Sequence, residues 1–483
     1  MTEDLDRLRK LILAALPEDT SLHGGSPQLR YTYLPTAHMK ALRPDSMLVA
    51  GNRGSGKSFW WAALQESELR GAIGGRVGIR RDTLVSTGFG EASSPDNYPG
   101  KDTIATLLDQ FDARRVWQTV VLKHVADGEI LEEFRSLRTW QERVKWVCGH
   151  PEEVERCLFE ADQRLAVADQ FHMILFDALD RTADKWERMH ALVRGLLQVL
   201  LDFRSYQRIR LKVFVRPDQI EDRSVSTFPD SSKVLAQKTD LTWPRKDLYG
   251  LLWQYLANEP NEGQVFRDLS AREVDAQWNM QDGVWTVPEV LSSQEETQKK
   301  LFHAITGPWM GRDRRRGFPY SWLPNHLGDA NRQVSPRSFL AAIRHAASDP
   351  PRADQENALH YESIKRGVQK ASTIRVREIE EDYPWVRTLF MPLKGISVPC
   401  PFDDIEQSWR NRGVLEELQQ SIGRPEGVRL PPRHIHLGPK GVFEDLKELG
   451  LMEETSDGRA NLPDVYRIGY GIGRRGGVRP VAR

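Results

Sequence analysis

The apolar positions in the first half of the chain fall into short runs separated by segments with a helical repeat. Residues 46–50, 171–176 and 211–215 are mostly apolar runs, as in strands that are buried on both faces. Residues 103–168, and the segment from 184 to about 206, repeat apolar positions every three to four residues, which is typical of amphipathic helices. Because strands alternate with helices, we expect an α/β fold with a parallel sheet and helices on both faces.

Weaker patterns complete the expected core. The first strand should lead into a helix that runs to about residue 70, and Arg76–Ile79 is a candidate short strand. Residues 82–102 are rich in Gly, Ser, Pro and Asp and predict a surface loop. A last short strand is expected at Leu241–Trp243, before a helix that begins near Pro244.

The second half of the chain has a different pattern. From about 245 to 350 it is predicted to be all-helical, interrupted by a segment rich in Gly, Pro and Arg at 307–319. We therefore expect three domains: a core at 1–258 with a helical insertion at about 82–168, a helical lid at 259–350, and a linker with a further module at 351–483.

The expected C-terminal module resembles a winged helix. Helices are predicted at Asp404–Leu418 and Gly441–Leu451, with Gly450 near the end of the second. Residues 452–461 predict a hairpin with its turn at Asp457-Gly458. The chain then ends in a basic, glycine-rich segment that contains Arg474, Arg475 and Arg479.

The charge of this module leaves its partner open. Basic residues exceed acidic ones only slightly after residue 423, which is weak for duplex DNA binding because affinity comes largely from phosphate neutralisation. Winged helices also dock onto proteins or onto their own chain. We therefore keep DNA contact and protein docking as alternatives, with docking favoured.

Composition narrows the class of protein. Hydrophobic residues make up 39% of the 483 residues, and Lys+Arg and Asp+Glu are balanced at 68 each, so any basic site must be local. The three cysteines have no metal-ligand spacing and suit a reducing compartment. The apolar run Leu11–Leu16 is too short for a membrane span. We expect a cytoplasmic protein with no membrane partner.

The most informative motif lies directly after the first strand. It has the form G-x-x-x-x-G-K-S of a Walker A phosphate loop, between a strand-like and a helix-like run. Its glycines let backbone N–H groups face a phosphate chain, its lysine reaches the β- and γ-phosphates, and its serine takes a Mg²⁺ position. The residues expected to bind ATP here are Gly51, Asn52, Arg53, Gly54, Ser55, Gly56, Lys57, Ser58 and Phe59.

A second element of the site follows the strand at 171–176. This strand ends in Asp177, which fits a Walker B acid that holds Mg²⁺ opposite Ser58. No glutamate follows Asp177, so Asp180 is the nearest acid that could polarise the attacking water. The alternative for Asp180 is a helix cap or an ion pair with Arg181.

Two arginines could sense the nucleotide. Arg216 ends the next strand at the same sheet edge, where a cation would stabilise the charge of the γ-phosphate; the alternative is an ion pair with Asp218. Arg337 opens a helix and could lean back onto the nucleotide from the lid, or simply face solvent.

Together these motifs resemble the STAND/KAP/AAA-type P-loop ATPases of the ASCE group over about residues 30–350. The resemblance rests on the Walker A motif, the D-x-L-D-R that starts at Asp177, the strand that ends in Arg216 and the helical segment that follows. It implies a conformational or assembly switch driven by ATP and Mg²⁺, with bacterial members serving in signalling or phage defence. A homo-oligomer with a separate effector protein is then expected. We find neither an ABC signature nor a guanine-specifying N-K-x-D, which disfavours a transporter or a GTPase.

Several alternatives remain open at this level. The arginines of the 307–319 segment could act on a neighbour's nucleotide, bind an acidic partner, or only face solvent; they are Arg312, Arg314, Arg315 and Arg316. The rivals to an ATPase switch are a DNA loader or motor, and a scaffold that binds ATP but barely hydrolyses it. The missing glutamate after Asp177 supports the scaffold.

Overall fold

A computed structural model describes residues 2–18, 27–125, 132–352, 355–422, 424 and 427–474. The α-helices are α1 (Thr2–Ala15), α2 (Thr36–Leu42), α3 (Lys57–Ala63), α4 (Ser67–Val77), α5 (Lys101–Leu108), α6 (Ala113–Val125), α7 (Glu132–Ser136), α8 (Trp140–Gly149), α9 (Pro151–Val167), α10 (Trp186–Asp202), α11 (Pro217–Ile220), α12 (Arg223–Ser226), α13 (Ser231–Leu235), α14 (Arg245–Ala257), α15 (Gly263–Val274), α16 (Glu289–Ser293), α17 (Glu295–Thr306), α18 (Pro319–Leu327), α19 (Pro336–Ser348), α20 (Tyr361–Asp382), α21 (Trp385–Phe390), α22 (Phe402–Arg412), α23 (Val414–Ser421), α24 (Gly438–Glu448) and α25 (Asp464–Tyr470). The strands are β1 (Leu48–Ala50), β2 (Leu84–Phe89), β3 (His172–Phe176), β4 (Ile209–Val215), β5 (Thr239–Asp240), β6 (Asn279–Gln281), β7 (Val284–Thr286), β8 (Ser397–Val398), β9 (Glu453–Glu454), β10 (Ala460–Asn461) and β11 (Gly473–Arg474).

The described residues form two compact units. The sheet unit takes those within 26–29 and 36–242, and the helical unit takes those within 1–25, 30–35 and 243–483. The helical unit therefore includes α1 and α14, which the sequence placed in a core domain that ends at 258. The three-domain division itself stays a prediction.

The sheet unit contains a five-stranded parallel sheet with strand order β2-β3-β4-β1-β5. The register pairs Ala50 with Val215 and Phe176 with Val213. Strands β1 and β3 are buried along their whole length, so both faces are covered there. Because β4 lies between β1 and β3, the residues that follow these three strands meet at one sheet edge.

The segment at 82–102 is a correction to the sequence analysis. It contains β2, which pairs with β3 along the sheet, and only its remainder is irregular. The β-carbon of a residue at Gly88 would lie 2.4 Å from the Phe176 ring, so a glycine lets the two strands approach. The helices of the predicted insertion, α5 to α9, follow this strand.

Two other predictions for the sheet need adjustment. The strand expected at Arg76–Ile79 is wrong, because α4 continues to Val77 and ends at Gly78, whose φ of 71° is left-handed. The last strand, β5, lies at Thr239–Asp240, earlier than predicted. Leu241 N still donates to Ala50 O (2.7 Å), so the ladder reaches into the predicted segment.

A buried lysine joins β4 to the segment before β1. Lys212 Nζ donates to the carbonyls of Ala41 (2.8 Å), Arg43 (3.0 Å) and Ser46 (2.6 Å). Burial lowers the pKa of Lys212 to about 7. These carbonyls satisfy the N–H donors of the amine, so this side chain fastens the end of α2 to the sheet.

The helical unit is built around an aromatic cluster. The ring of Tyr249 on α14 lies 4.9 Å from Phe302 on α17, 5.0 Å from Phe339 on α19 and 4.3 Å from Tyr320 on α18, centroid to centroid. Apolar residues of α1, including Leu11, belong to the same core. The segment expected to be all-helical also contains the antiparallel hairpin β6–β7, which the sequence analysis missed.

The C-terminal part of this unit has the winged-helix-like order of three helices and a hairpin. The helix predicted at 404–418 is two helices, α22 and α23, separated at Gly413 with a φ of 59°. After α24, strands β9 and β10 pair antiparallel around the predicted turn, where Gly458 has a φ of 79°.

The start of the predicted basic segment is ordered as far as Arg474. Helix α25 packs on α20, where a β-carbon on Gly469 would lie 2.4 Å from Val376. Strand β11 then pairs in parallel with β8, and Arg474 contacts Asp464 (3.0 Å). Arg475 and Arg479 lie outside the described residues.

Candidate functional site

The phosphate loop forms a tight turn between β1 and α3. Gly51 N donates to Val215 O (3.0 Å), which ties the start of the loop to the end of β4. Gly54 and Gly56 have φ values of 79° and 100°, a conformation that side chains disfavour. A β-carbon on Gly51 would lie only 2.2 Å from Ser55 Oγ. The glycines of the motif are therefore required by the geometry of the turn.

Lys57 curls back onto its own loop. Its Nζ donates to the carbonyls of Gly51 (2.7 Å) and Asn52 (3.1 Å). Burial lowers the pKa of the Lys57 amine to about 8; Asp177 opposes this shift and Arg216 adds to it. An ammonium group in such surroundings gains from a nearby anion.

Asp177 follows β3 and is buried. Its backbone N donates to Phe89 O (3.1 Å), and its carboxylate accepts a hydrogen bond from the Ser58 hydroxyl. Burial raises the pKa of Asp177, while Ser58 and then Lys57 act against that rise. The structure thus brings together the serine, the lysine and the acid that the sequence assigned to one site.

The serine and the acid suit a magnesium ion. A hydroxyl and a carboxylate are oxygen donors, which Mg²⁺ prefers over nitrogen or sulfur. Since burial disfavours the charged carboxylate, a cation beside Asp177 would offset that cost. Ser58 and Asp177 are therefore the residues that could hold the ion.

Arg216 lies at the end of β4, between the two Walker strands, and has acidic partners. Its Nε and Nη2 contact the Asp218 carboxylate at 3.2 and 3.3 Å, and Nη1 lies 3.8 Å from Asp180 Oδ2. The pairing with Asp218, considered as the alternative, is thus present. It does not remove Arg216 from the site, because the same guanidinium also reaches Asp180.

Asp180 lies in a short 3-10 helix, Leu179–Arg181, after the strand end. Ala178 has a left-handed φ of 57°, which is uncommon for a residue with a β-carbon. Asp180 faces Arg216, while the guanidinium of Arg181 contacts Glu91 (2.6 Å). The turn therefore places an acid near Arg216, although no acid follows Asp177 directly.

Two acids near this edge were not among the predicted site residues. Asp218 was considered only as an ion-pair partner of Arg216, yet it is itself buried at the site. Glu91 was missed because residues 82–102 were predicted to be a loop, whereas it follows β2, the neighbour of β3. The β-branched residues Val85 and Thr87 were the signal that could have identified this strand.

The remaining predicted nucleotide ligands are placed as follows. Asn52, Arg53 and Gly54 are half-buried in the loop, and the half-buried Phe59 packs edge-on against Trp60 at 5.1 Å. Arg337 belongs to the helical unit, where its Nη1 contacts Glu378 (2.8 Å). Its role at the nucleotide stays a prediction.

The chain is only distantly similar to solved structures of other proteins. No protein-family model matches the sequence, and no curated protein matches it. One similar solved structure is Cdc6p from Pyrobaculum aerophilum, at 14% identity and a TM-score of 0.29, with 93% of this chain and 94% of that chain covered. Another is the Aeropyrum pernix ORC2 protein in ADPNP-ADP complexes, at 12% identity and a TM-score of 0.34, covering 87% and 84%. With both TM-scores below 0.5, neither likeness supports a statement about the site.

The geometry itself shows a P-loop NTPase core followed by helical domains. A parallel sheet, a phosphate loop after β1 and an acid after β3 meet at the carboxyl edge, where ligands bind in open α/β sheets. Among the described residues, no helix combines the length and apolarity that a bilayer crossing would require.

Proposed function

We propose that this protein binds Mg-ATP and hydrolyses it to switch its conformation or assembly. The observation that carries the proposal is the meeting of Lys57, the Ser58–Asp177 pair and Arg216 at one sheet edge. A cationic amine, an oxygen pair for a metal and a second cation are the groups that phosphoryl transfer to water requires.

Each group has one task. Lys57 and the loop N–H groups bind the phosphates, and Ser58 and Asp177 hold Mg²⁺, which would neutralise charge on the β- and γ-oxygens. Asp180 orients the attacking water, and Arg216 senses the γ-phosphate.

Arg216 links the sensing of the γ-phosphate to the positioning of water by Asp180. Its charge is shared between Asp218 and Asp180. A γ-phosphate would compete with both carboxylates for the guanidinium, since phosphate also accepts two N–H bonds. Arrival of the γ-phosphate would therefore free Asp180 to contact water.

Substitution of the two central side chains tests the proposal. Lys57→Ala should abolish binding of a fluorescent ATP analogue without unfolding the protein, and Asp177→Asn should weaken Mg²⁺-dependent binding and phosphate release together. Lys233→Ala is a matched control in the sheet unit, because Lys233 is exposed and pairs with Asp230. Wild-type affinity for Mg-ATP in Lys57→Ala would refute the phosphate-loop assignment.

A second candidate is a scaffold that binds ATP with little turnover. Ala178 stands where a catalytic glutamate often follows the Walker B acid, and Asp180 faces Arg216. Phosphate release from purified protein distinguishes the two: binding without measurable turnover would favour the scaffold.

The biological role proposed for this switch follows from the resemblance to STAND/KAP/AAA-type ATPases. It is a cytoplasmic homo-oligomer that controls a separate effector protein in bacterial signalling or phage defence. Particle size with and without a non-hydrolysable ATP analogue, with a pull-down from the native host, tests this. A DNA loader or motor that uses the winged-helix-like module is the alternative, and DNA-stimulated hydrolysis at low salt would favour it.

A further inference from the structure

A short arginine-rich loop in the helical unit has no role in the proposed ATPase. It consists of Gly311–Gly317, which we call the arginine loop, and its basic residues are Arg312, Arg314, Arg315 and Arg316. All four are exposed, and within the described residues none of them forms an ion pair. In a chain with a formal net charge of zero, this is a concentrated patch of unneutralised positive charge.

The loop is held in one shape by its own backbone. Met310, which is buried, donates from its N to Gly317 O (2.9 Å) and closes the loop. Residues 314–316 form a 3-10 turn, and Gly317 has a φ of 89°, which favours glycine. Phe318 anchors the exit, with the Trp309 ring 5.0 Å away and Lys299 Nζ 4.7 Å from its centroid. The arginines therefore project from a fixed base.

The single acid in the loop does not neutralise the arginines. Asp313 accepts from the backbone N of Arg315 (2.9 Å) and so caps the 3-10 turn. Its carboxylate is used to shape the loop, while the guanidinium groups stay in solvent. Repulsion between like charges on neighbouring residues opposes folding, and an anionic partner would relieve it.

The composition indicates the kind of anion. All four basic residues are arginine, whose planar fork binds phosphate through two N–H bonds where lysine offers a point charge. Four guanidinium groups within five consecutive residues suit a ligand with repeated phosphates. We propose that the arginine loop binds the phosphodiester backbone of a nucleic acid, independently of base sequence and of ATP turnover.

The salt dependence of binding tests the proposal. Fluorescence anisotropy would follow the full chain on labelled duplex and single-stranded probes of about 25 nucleotides, at about 50 to 200 mM salt. Replacing all four arginines with glutamine should flatten the slope of log K against log salt by about 3 to 4 on a duplex, because each phosphate contact contributes about 0.9. Over this salt range the wild-type affinity should fall about 10²-fold more than that of the variant.

Two further variants separate charge, shape and folding. Arg80, Arg114, Arg188 and Arg410 are exposed arginines that already pair with acids, so glutamine at these four positions removes the same net charge and should leave the slope unchanged. Lysine at the four loop positions should keep most of the slope but bind more weakly, since the fork is lost. Retained binding in the lysine variant also shows that the loop tolerates substitution at all four positions.

Four outcomes would overturn the proposal. One is equal affinity and slope in the wild type and the loop glutamine variant, and another is no wild-type binding to either probe. A third is binding of polyglutamate without binding of nucleic acid, which would assign the loop to an acidic protein. The fourth is loss of basal ATP turnover in the loop glutamine variant without nucleic acid present, which would assign the arginines to a neighbour's nucleotide.

Discussion

Raising the pH from about 7.5 to about 9 should weaken Mg-ATP binding by removing the charge of Lys57. This amine lies against the Gly51 and Asn52 carbonyls, and burial lowers its pKa to about 8. Phosphates favour the charged amine, so binding raises the pKa of Lys57 and takes up a proton. Affinity must therefore fall as the pH rises through the pKa of the unliganded protein. This pH range lies above the pKa of the last ionisation of ATP, so the charge of the nucleotide stays constant within it.

The size of the effect follows from the charged fraction of Lys57. With a pKa of about 8, this fraction is roughly three quarters at pH 7.5 and roughly one tenth at pH 9. If only the charged form binds phosphate strongly, the apparent Kd rises about eightfold, or about 1.2 kcal/mol. An amine with the ordinary pKa of lysine would leave the Kd nearly constant over this range.

Isothermal titration calorimetry with excess Mg²⁺ measures the Kd. Repeating the titration in buffers of different ionisation enthalpy gives the proton uptake. Lys57→Arg is the matched control, because a guanidinium group keeps its charge throughout and any remaining binding should not change with pH. The lowered pKa would be refuted if Lys57→Ala loses binding while the wild-type Kd stays constant across this pH range.

Three further predictions concern the sheet unit. Asp180→Asn should leave the Kd for Mg-ATP near that of the wild type and slow phosphate release by ~10²-fold, the usual size of general-base assistance; equal loss of binding would remove that role. Gly51→Ala should weaken binding in calorimetry and lower the free energy of unfolding by about 1–3 kcal/mol in thermal melts, because its β-carbon overlaps the loop. Gly100→Ala, with open space around it, is the control for binding and should leave the Kd unchanged. Lys212 has a folded-state pKa of about 7, below its unfolded value. The free energy of unfolding in urea should therefore rise by about 2 kcal/mol between pH 7 and 9 in the wild type, relative to Lys212→Met. The same pH dependence of stability in both proteins would contradict this.

Local sequence predicted three of the five strands of the sheet, together with the residues that follow them. The phosphate loop, the strand before Asp177 and the strand before Arg216 are each decided by neighbouring residues, since an apolar run buried on both faces has few alternatives. Strand β2 was missed because its serine, threonine and glycine resemble a loop. Its strand character depends on β3 and on the Phe176 ring that takes the place of a side chain at Gly88.

Distant contacts decided what the sequence could not show. From sequence spacing, Arg216 could pair with Asp218, and Asp180 could pair with Arg181. The turn at Ala178 instead places Asp180 beside Arg216. Likewise, no local pattern indicates that α1 shares a core with α14. Such membership depends on residues more than two hundred positions apart.

The place of α1 has a consequence for synthesis on the ribosome. Leu8, Leu11 and Ile12 are buried in the core of the helical unit, yet the residues that cover them include those of α19, more than three hundred positions later. At translation rates of about 5–20 residues per second, this apolar face waits on the order of 15 to 65 seconds for its partner, while the complete sheet unit emerges first. The nascent chain thus carries an exposed hydrophobic helix until α19 has been made, as a chaperone client would. A circular permutant that moves α1 next to residue 243 should shorten that wait and show less co-translational aggregation; an equal yield of soluble protein would count against it.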